Sequence, residues 1–283
     1  MEYKILRNNS IIPCIGLGTW KITDRDLVRS TIATAYEEGY RLIDTAAVYS
    51  NEIAIARAIS ENGLRREDFY ISDKVWNTSR GYDEVQNACK RSLKKLKTDY
   101  LDMFLIHWPA SKRFYPNWEE INAESWRGME QLYKMGLVKN IGVCNFKVYH
   151  LEALKRVAKV MPFVNQIELH PGLRQETLVS YCKKEGIVIE ASSPLGNGKI
   201  LDNSVLKRIA NEKKVSAAQI CLRWLYQKDT IAIPKTTNHH RLRENISIFD
   251  FQLSNEELNQ IDAIPYCGGI GIDSDEVGSV VIP

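Results

Sequence analysis

Short apolar runs alternate with amphipathic stretches about eight times along these 283 residues, and that alternation constrains the fold more than any other feature. Helices are predicted over Asp24–Tyr36, Ser50–Gly63, Asp83–Leu96, Trp118–Lys134, Val148–Val160 and Arg174–Lys184. A helix pair across Ser204–Gln227 and short helices over Asn238–Ile246 and Ser254–Ile264 follow. Gly39, Gly63 and Gly136 stand where three of them stop, the place for a left-handed cap. In the first, Thr23 or Asp24 can cap, and Leu27, Val28, Ile32, Ala35 and Tyr36 share one face. The strands between are read in CIGLGTW, RLID, FYISDKVW, LDMFLIHW, LVKNIGVCNF, PFVNQIELHP, GIVIEASSPLG and TIAIPKT. No proline- or serine-rich linker breaks the chain, so 1–283 reads as one domain. The fold class that fits is α/β, a single (β/α)8 TIM barrel with an N-terminal hairpin in EYKILRNNSIIP and a C-terminal tail, Pro265–Pro283. A doubly wound sheet would want a glycine-rich phosphate turn. Gly16-Leu17-Gly18 begins one, but Lys21 stands where the third glycine belongs.

Catalytic groups of a barrel stand at the C-terminal ends of its strands. Asp44, Lys74 and His107 end three successive strands, with Tyr49 in the loop after the first, and Asn145, Gln166 and Lys235 end later ones. Taken singly, Asp44 reads as an ion-pair partner, His107 as a core histidine, Lys74 as a surface lysine and Tyr49 as loop packing. At equivalent positions on adjacent strands they form an acid, a cation, an imidazole and a phenol around one cavity. Trp20, Trp76 and Trp108 would wall its mouth. Trp126 and Trp224 lie on helices and read as core, His150 and His170 as structural, and His239-His240 as solvated or near a phosphate.

A phenol with a pKa near about 10 is a poor acid partner at neutral pH. An ammonium beside it favours the phenolate and lowers that value, and a carboxylate beside the lysine keeps the lysine charged. The set suits protonation of a carbonyl oxygen while hydride reaches carbon, and the hydride needs a nicotinamide because no side chain supplies one. Asn145 and Gln166 offer side-chain amides to a carboxamide. Lys235, Thr236 and Arg241 sit at a strand-to-helix junction, a setting that favours a phosphate.

Composition narrows the rest. A net charge of +3 gives no electrostatic footprint for nucleic acid. No apolar run reaches the roughly 20 residues of a membrane span, and MEYKILRNNSIIP lacks a signal-peptide core, so the expected location is the cytoplasm. The six cysteines include no CxxC pair and no HExxH occurs, so neither disulfides nor a metal is expected.

The stretches GYRLIDTAAVYSNE, ISDKVW, DYLDMFLIHWP, GVCNF, NQIELHP, SPLG and IPKTTNHHRLREN together resemble the aldo-keto reductase family, over essentially the whole chain. The shorter loops resemble its prokaryotic branch, which includes 2,5-diketo-D-gluconate reductases. The resemblance implies NADPH-dependent reduction of aldehydes or ketones by a monomer, with Tyr49 as proton donor, Lys74 and Asp44 tuning it, and His107 orienting the substrate. It implies cofactor contacts from Thr19, Trp20, Asp44, Cys144, Asn145, Gln166, Ser192, Pro194, Leu195 and Gly196. At the adenosine end it implies Lys235, Thr236, Thr237, Arg241, Glu244 and Asn245. Three positions depart from the family: Ser192 stands where an aromatic often stacks on the nicotinamide, Cys144 replaces a serine, and Ala56 replaces a glycine. Two rival readings remain at this point, a barrel lyase with Lys74 as Schiff-base nucleophile and an NADP(H)-binding regulatory protein with slow turnover, similar to the potassium-channel β subunits. Substrate specificity is expected to lie in Trp108–Trp118, Gly196–Asp202 and the tail.

Overall fold

The computed structural model describes residues 1–269 and 272–278. Part of the tail, 270–271 and 279–283, lies outside the described residues, so the expectation for it is only partly met by observation.

A small antiparallel hairpin, β1 (Tyr3–Ile5) and β2 (Ile11–Pro13), comes first. Eight parallel strands then form one sheet in chain order: β3 (Gly16–Gly18), β4 (Leu42–Asp44), β5 (Tyr70–Val75), β6 (Met103–Ile106), β7 (Ile141–Cys144), β8 (Val164–Glu168), β9 (Val188–Ser192) and β10 (Ile231–Ala232). The ends of this sheet meet. Ala232 donates its backbone N–H to Cys14 at 3.1 Å, and Gly18 donates to Pro234 at 3.1 Å. The result is a nearly closed (β/α)8 barrel. The seam explains the two early glycines: a Cβ on Gly18 would lie 3.0 Å from the Ile233 carbonyl, and one on Gly16 2.5 Å from Leu42 Cγ.

Helices return between the strands: α1 (Arg25–Glu37), α2 (Glu52–Glu61), α3 (Tyr82–Leu96), α4 (Trp118–Lys134), α5 (Val148–Lys155), α6 (Glu176–Lys184), α7 (Ser204–Lys213) and α8 (Ala217–Gln227). After β10 come α9 (His239–Ile246) and α10 (Asn255–Asp262). Each turns one stripe to the sheet. On α3, Val85, Ala88, Cys89, Leu93 and Leu96 are buried, and each of the larger ones contributes about 1.5–3 kcal/mol of apolar burial. Its basic face is solvated except at Lys95, which pairs with the buried Glu52 of α2 at 2.6 Å.

Some boundaries differ from the sequence reading. Leu27 is exposed, because α1 packs through Val28, Ile32 and Ala35. The α5 helix stops at Lys155 instead of reaching Val160, since α4 takes over the backbone there: Lys159 and Val160 donate to Glu130, and Val160 accepts from Trp126. The last strand pairs only at Ile231–Ala232, and Pro234 has no N–H with which to continue it. The Ala47–Tyr49 and Gly196–Asp202 loops wind into 3-10 turns.

The hairpin plugs the N-terminal end of the barrel. Leu6 and Ile12 are buried beneath it, and Asn8 and Ser10 both donate to Asn140 Oδ1, at 2.9 and 2.8 Å. Function is therefore left to the opposite end. No helix among the described residues is long and apolar enough to cross a membrane.

Candidate active site

At the C-terminal end of the strands lies a cavity of about 920 Å³. Its floor is set by strand register. Gly18 pairs with Asp44, and Asp44 with Ser72, so Asp44 and Lys74 project inward from neighbouring strands. The Lys74 side chain is 0% exposed. Its Nζ donates to Asp44 Oδ1 at 2.6 Å, Asp44 Oδ2 at 2.7 Å and the Thr45 carbonyl at 2.8 Å. Three acceptors meet three N–H bonds, which is what a buried ammonium requires. Burial is the largest single influence and lowers the Lys74 pKa, but Asp44, Tyr49 and Cys144 together outweigh it and the ammonium is held above its ordinary value. Lys74 is thus neither a surface residue nor a free amine.

Tyr49 sits half-buried on the 3-10 turn after β4, with the Lys74 ammonium 5.1 Å from its ring centre. The balance of forces on it differs from the sequence expectation. Burial dominates and pushes the phenol above its ordinary pKa, while Lys74 pulls the other way and Asp44 adds to the rise. Lys74 moderates the phenol without ionising it, so Tyr49 stays a loaded acid. The His107 ring stands edge-on to Tyr49, with centres 5.8 Å apart, and also to Trp76, at 5.1 Å. Burial, then the Lys74 charge, holds His107 well below the usual imidazole range, so the ring is neutral. Its Nδ1 and the indole Nε1 of Trp108 are buried without partners among the described residues.

Two amides meet the floor. Asn145, in a left-handed conformation at φ 62°, donates from Nδ2 to the His107 carbonyl at 3.0 Å. Gln166 donates from Nε2 to Asp44 Oδ1 at 2.9 Å and to Glu190 Oε1 at 2.5 Å. Both acceptors are carboxyl oxygens, so the NH2 end of Gln166 must lie between them and its carbonyl oxygen is left for the cavity. The far end of the cavity is lined by Ser192, Pro194, Leu195, Lys235, Thr236, Arg241, Glu244 and Asn245. Lys235 and Arg241 form no ion pair among the described residues, whereas their neighbour Arg243 pairs with Glu38 at 2.9 Å. Asn238 caps α9 by accepting from the Arg241 N–H at 3.0 Å.

This donor set fits a nicotinamide dinucleotide phosphate. Two amide oxygens would meet a carboxamide NH2, and two cations without an ion pair among the described residues, beside a helix start, would meet a phosphate. Not every expected residue reaches the cavity. Trp20, Asp44, Tyr49, His107, Trp108, Asn145 and Gln166 line it; Thr19, Lys74, Trp76, Cys144, Gly196 and Thr237 do not. Thr19 is buried and donates to the Asp44 carbonyl at 2.9 Å, which fixes the strand end. Trp76 stands edge-on to His107 with ring centres 5.1 Å apart, Cys144 is buried near Lys74, and Gly196 packs on the His170 ring. His239 and His240 are exposed on α9 and off the cavity. Among the described residues no cluster of three or more His, Cys, Asp or Glu could hold a metal ion.

Sequence reasoning missed Glu190, whereas the tail, expected to bear on specificity, does reach the cavity. Tyr266, Ile272, Asp273 and Ser274 border the cavity. Lys147 clasps this segment through Asp273 at 2.5 Å and Asp275 at 2.7 Å, helped by Ser111, Tyr149 and the Arg113–Glu276 pair.

Comparison with known proteins agrees with this fold. The sequence profile described as "Aldo/keto reductase family" matches residues 14–265. The glyoxal reductase of Bacillus subtilis is 43% identical over 272 residues, 96% of each chain. Among solved structures, an aldo/keto reductase from Brucella melitensis superimposes with a TM-score of 0.87 at 40% identity, covering 93% of this chain and 99% of that one. A Bombyx mori aldo-keto reductase in complex with NADP gives 0.89 at 35% identity, over 98% of both.

Proposed function

The chain belongs to the aldo/keto reductase family, and from that premise we propose that it reduces small aldehydes and ketones, short α-dicarbonyls among them, with NADPH. The observation that carries the reading is the buried Asp44–Lys74 pair under a protonated Tyr49, beside a neutral His107. The relative named glyoxal reductase supports the dicarbonyl class, and the NADP-bound neighbour supports the coenzyme.

When bound, NADPH supplies the hydride. Tyr49 gives its phenolic proton to the carbonyl oxygen, and the nearby ammonium of Lys74 lowers the cost of the phenolate that results. The neutral His107 ring and the Trp108 indole hold that oxygen in place. Trp20 and Trp108 keep water from the reacting carbon. Asn145 and Gln166 accept from the carboxamide, and Lys235 and Arg241 take the 2′-phosphate. The protein acts as a monomer in the cytoplasm and needs no nucleic acid or membrane. The Schiff-base reading has less behind it, since a nucleophilic lysine must lose its proton and Lys74 is tied by both oxygens of Asp44.

The test is NADPH consumption with simple aldehydes, methylglyoxal and diketo sugar acids, with NADH in parallel. Wild type should turn over with NADPH. Arg241→Ala should raise KM for NADPH about tenfold or more and leave NADH nearly unchanged, as loss of one charge-assisted phosphate contact implies. Equal losses with both coenzymes would count against a 2′-phosphate at Arg241. Tight NADPH binding with no turnover on any carbonyl would favour the regulatory reading instead.

His107 sets the pH behaviour. Its folded pKa is depressed, so the ring stays neutral through neutral pH and kcat/KM should have no inflection near the ordinary histidine value of about 6.5. Stability should fall as pH drops below that value, because the unfolded chain then binds a proton that the folded site refuses. A kcat/KM inflection near pH 6.5 that vanishes in His107→Gln would refute the neutral ring.

A further inference from the structure

Among the described residues, Glu190 is a buried charge-bearing group at the barrel floor that the reaction leaves unused. It lies on β9, in register with Gln166 on β8, and is 0% exposed. Its Oε1 accepts from Gln166, and its Oε2 has no partner among the described residues. An apolar side chain would fill such a place at lower cost than a carboxyl with one unpaired oxygen. What Glu190 does that an apolar residue cannot is accept from Gln166 on the side opposite Asp44.

We propose that Glu190 is a positioning residue for the nicotinamide, which, with Asp44, locks the Gln166 amide so that its oxygen faces the cavity. This rests on the NADPH reading above. An amide has two ends of nearly equal size, and one acceptor leaves it free to swing about the bond it keeps. Two acceptors on either side of the NH2 fix the plane and the direction. The device matters in this chain because Ser192 supplies no aromatic platform for the ring, and the orienting role falls to the amides.

The lock also carries a charge. The Lys74 ammonium is already held by both oxygens of Asp44. The groups facing Glu190 are Asp44 from β4, Tyr70 and Lys74 from β5, Cys144 from β7 and Gln166 from β8; its β10 partner in register is the apolar Ile231. One cation thus serves two carboxyls. Burial first, then the Asp44 charge, raises Glu190 to about 8. At neutral pH it is a neutral acid, and above that value an anion. An oxidised nicotinamide carries a positive charge and a reduced one does not. Ionised Glu190 therefore favours the oxidised coenzyme, and the ratio of the NADPH to the NADP+ dissociation constant rises with pH.

The experiment titrates the full chain with NADPH and with NADP+, followed by quenching of tryptophan fluorescence, from pH 6.5 to 9. In wild type the ratio of the two constants should climb about tenfold across that range, an effect of about 1.4 kcal/mol. Glu190→Ala should bind NADPH about tenfold more weakly at pH 7. Glu190→Gln keeps the acceptor oxygen and should bind NADPH within about threefold of wild type, with a ratio that no longer depends on pH. A Glu190→Ala variant that binds NADPH as tightly as wild type overturns the proposal, as does a flat wild-type ratio. If the alanine variant does not fold, Glu190→Gln still decides: a ratio that keeps its pH dependence there overturns the proposal. Wild type that binds neither coenzyme overturns the functional reading itself, a different outcome from any of these.

Discussion

Tyr49→Phe should lower kcat by about a thousandfold and leave NADPH affinity within about twofold of wild type, the scale of a lost general acid. The substitution removes one oxygen and keeps the ring that stands edge-on to His107. Packing survives, so the melting temperature should hardly move. The size of the loss follows from the state of the phenol. Burial keeps it protonated, so wild type has an acid ready in nearly every molecule, and phenylalanine leaves only water to give the proton. Steady-state kinetics with methylglyoxal, a fluorescence titration with NADPH and a thermal melt check the three parts. A variant with half the wild-type kcat would remove Tyr49 from the reaction.

Lys74→Met should cost both activity and stability. The methionine fills the volume but leaves Asp44 with Gln166 as its sole side-chain donor among the described residues, at 2.9 Å. Breaking a buried pair from one side costs about 3–5 kcal/mol, because the remaining charge is uncompensated. For a chain of this size each kcal/mol moves the melting temperature by roughly 2–4 °C, so a fall of about 6–20 °C is expected. Turnover should drop by at least about a hundredfold, since nothing then stabilises the phenolate that Tyr49 becomes. The double variant Asp44→Asn with Lys74→Met separates the two effects. It removes the stranded charge and should recover most of the stability but none of the turnover. A single variant that melts with wild type would mean that Asp44 finds another partner, and the pair would lose its structural role.

How much of this was legible in the sequence depends on whether a local pattern or a burial decides the matter. Asp44, Lys74 and His107 could be read because a polar residue at the end of an apolar run is visible, and the period of a strand puts such residues on one side of a barrel. The helices were legible for the same reason, down to the Trp118–Lys134 boundaries of α4. Glu190 was hidden inside VIEASS, where a lone acid reads as one polar position of a half-buried strand. The available signal was its register, two residues before Ser192 and level with Gln166. The Tyr49 phenol was read in the wrong direction because the sequence names its neighbours but not its desolvation, and desolvation is the larger effect. Trp76 was expected on the wall and is not among the lining residues, although its ring stands edge-on to His107, since spacing along the strands does not say which ring faces the opening. The tail was expected to bear on specificity, but its partner could not be read: the clasp on Lys147 joins positions 126 and 128 residues apart.

The order of groups around the barrel has a consequence for how such a chain can be remade. Asp44, Tyr49, Lys74 and His107 all come from β4–β6 and the turn after β4. Asn145, Gln166, Glu190, Lys235 and Arg241 all come from the strands and helices that follow. The groups proposed to give the proton and those proposed to hold the coenzyme occupy opposite half-barrels. Among the described residues two side-chain hydrogen bonds join them, Asn145 to the His107 carbonyl and Gln166 to Asp44. A chimera cut between β6 and β7 therefore exchanges the coenzyme seat as a unit and inherits the acid intact, provided those two bonds are redrawn at the join.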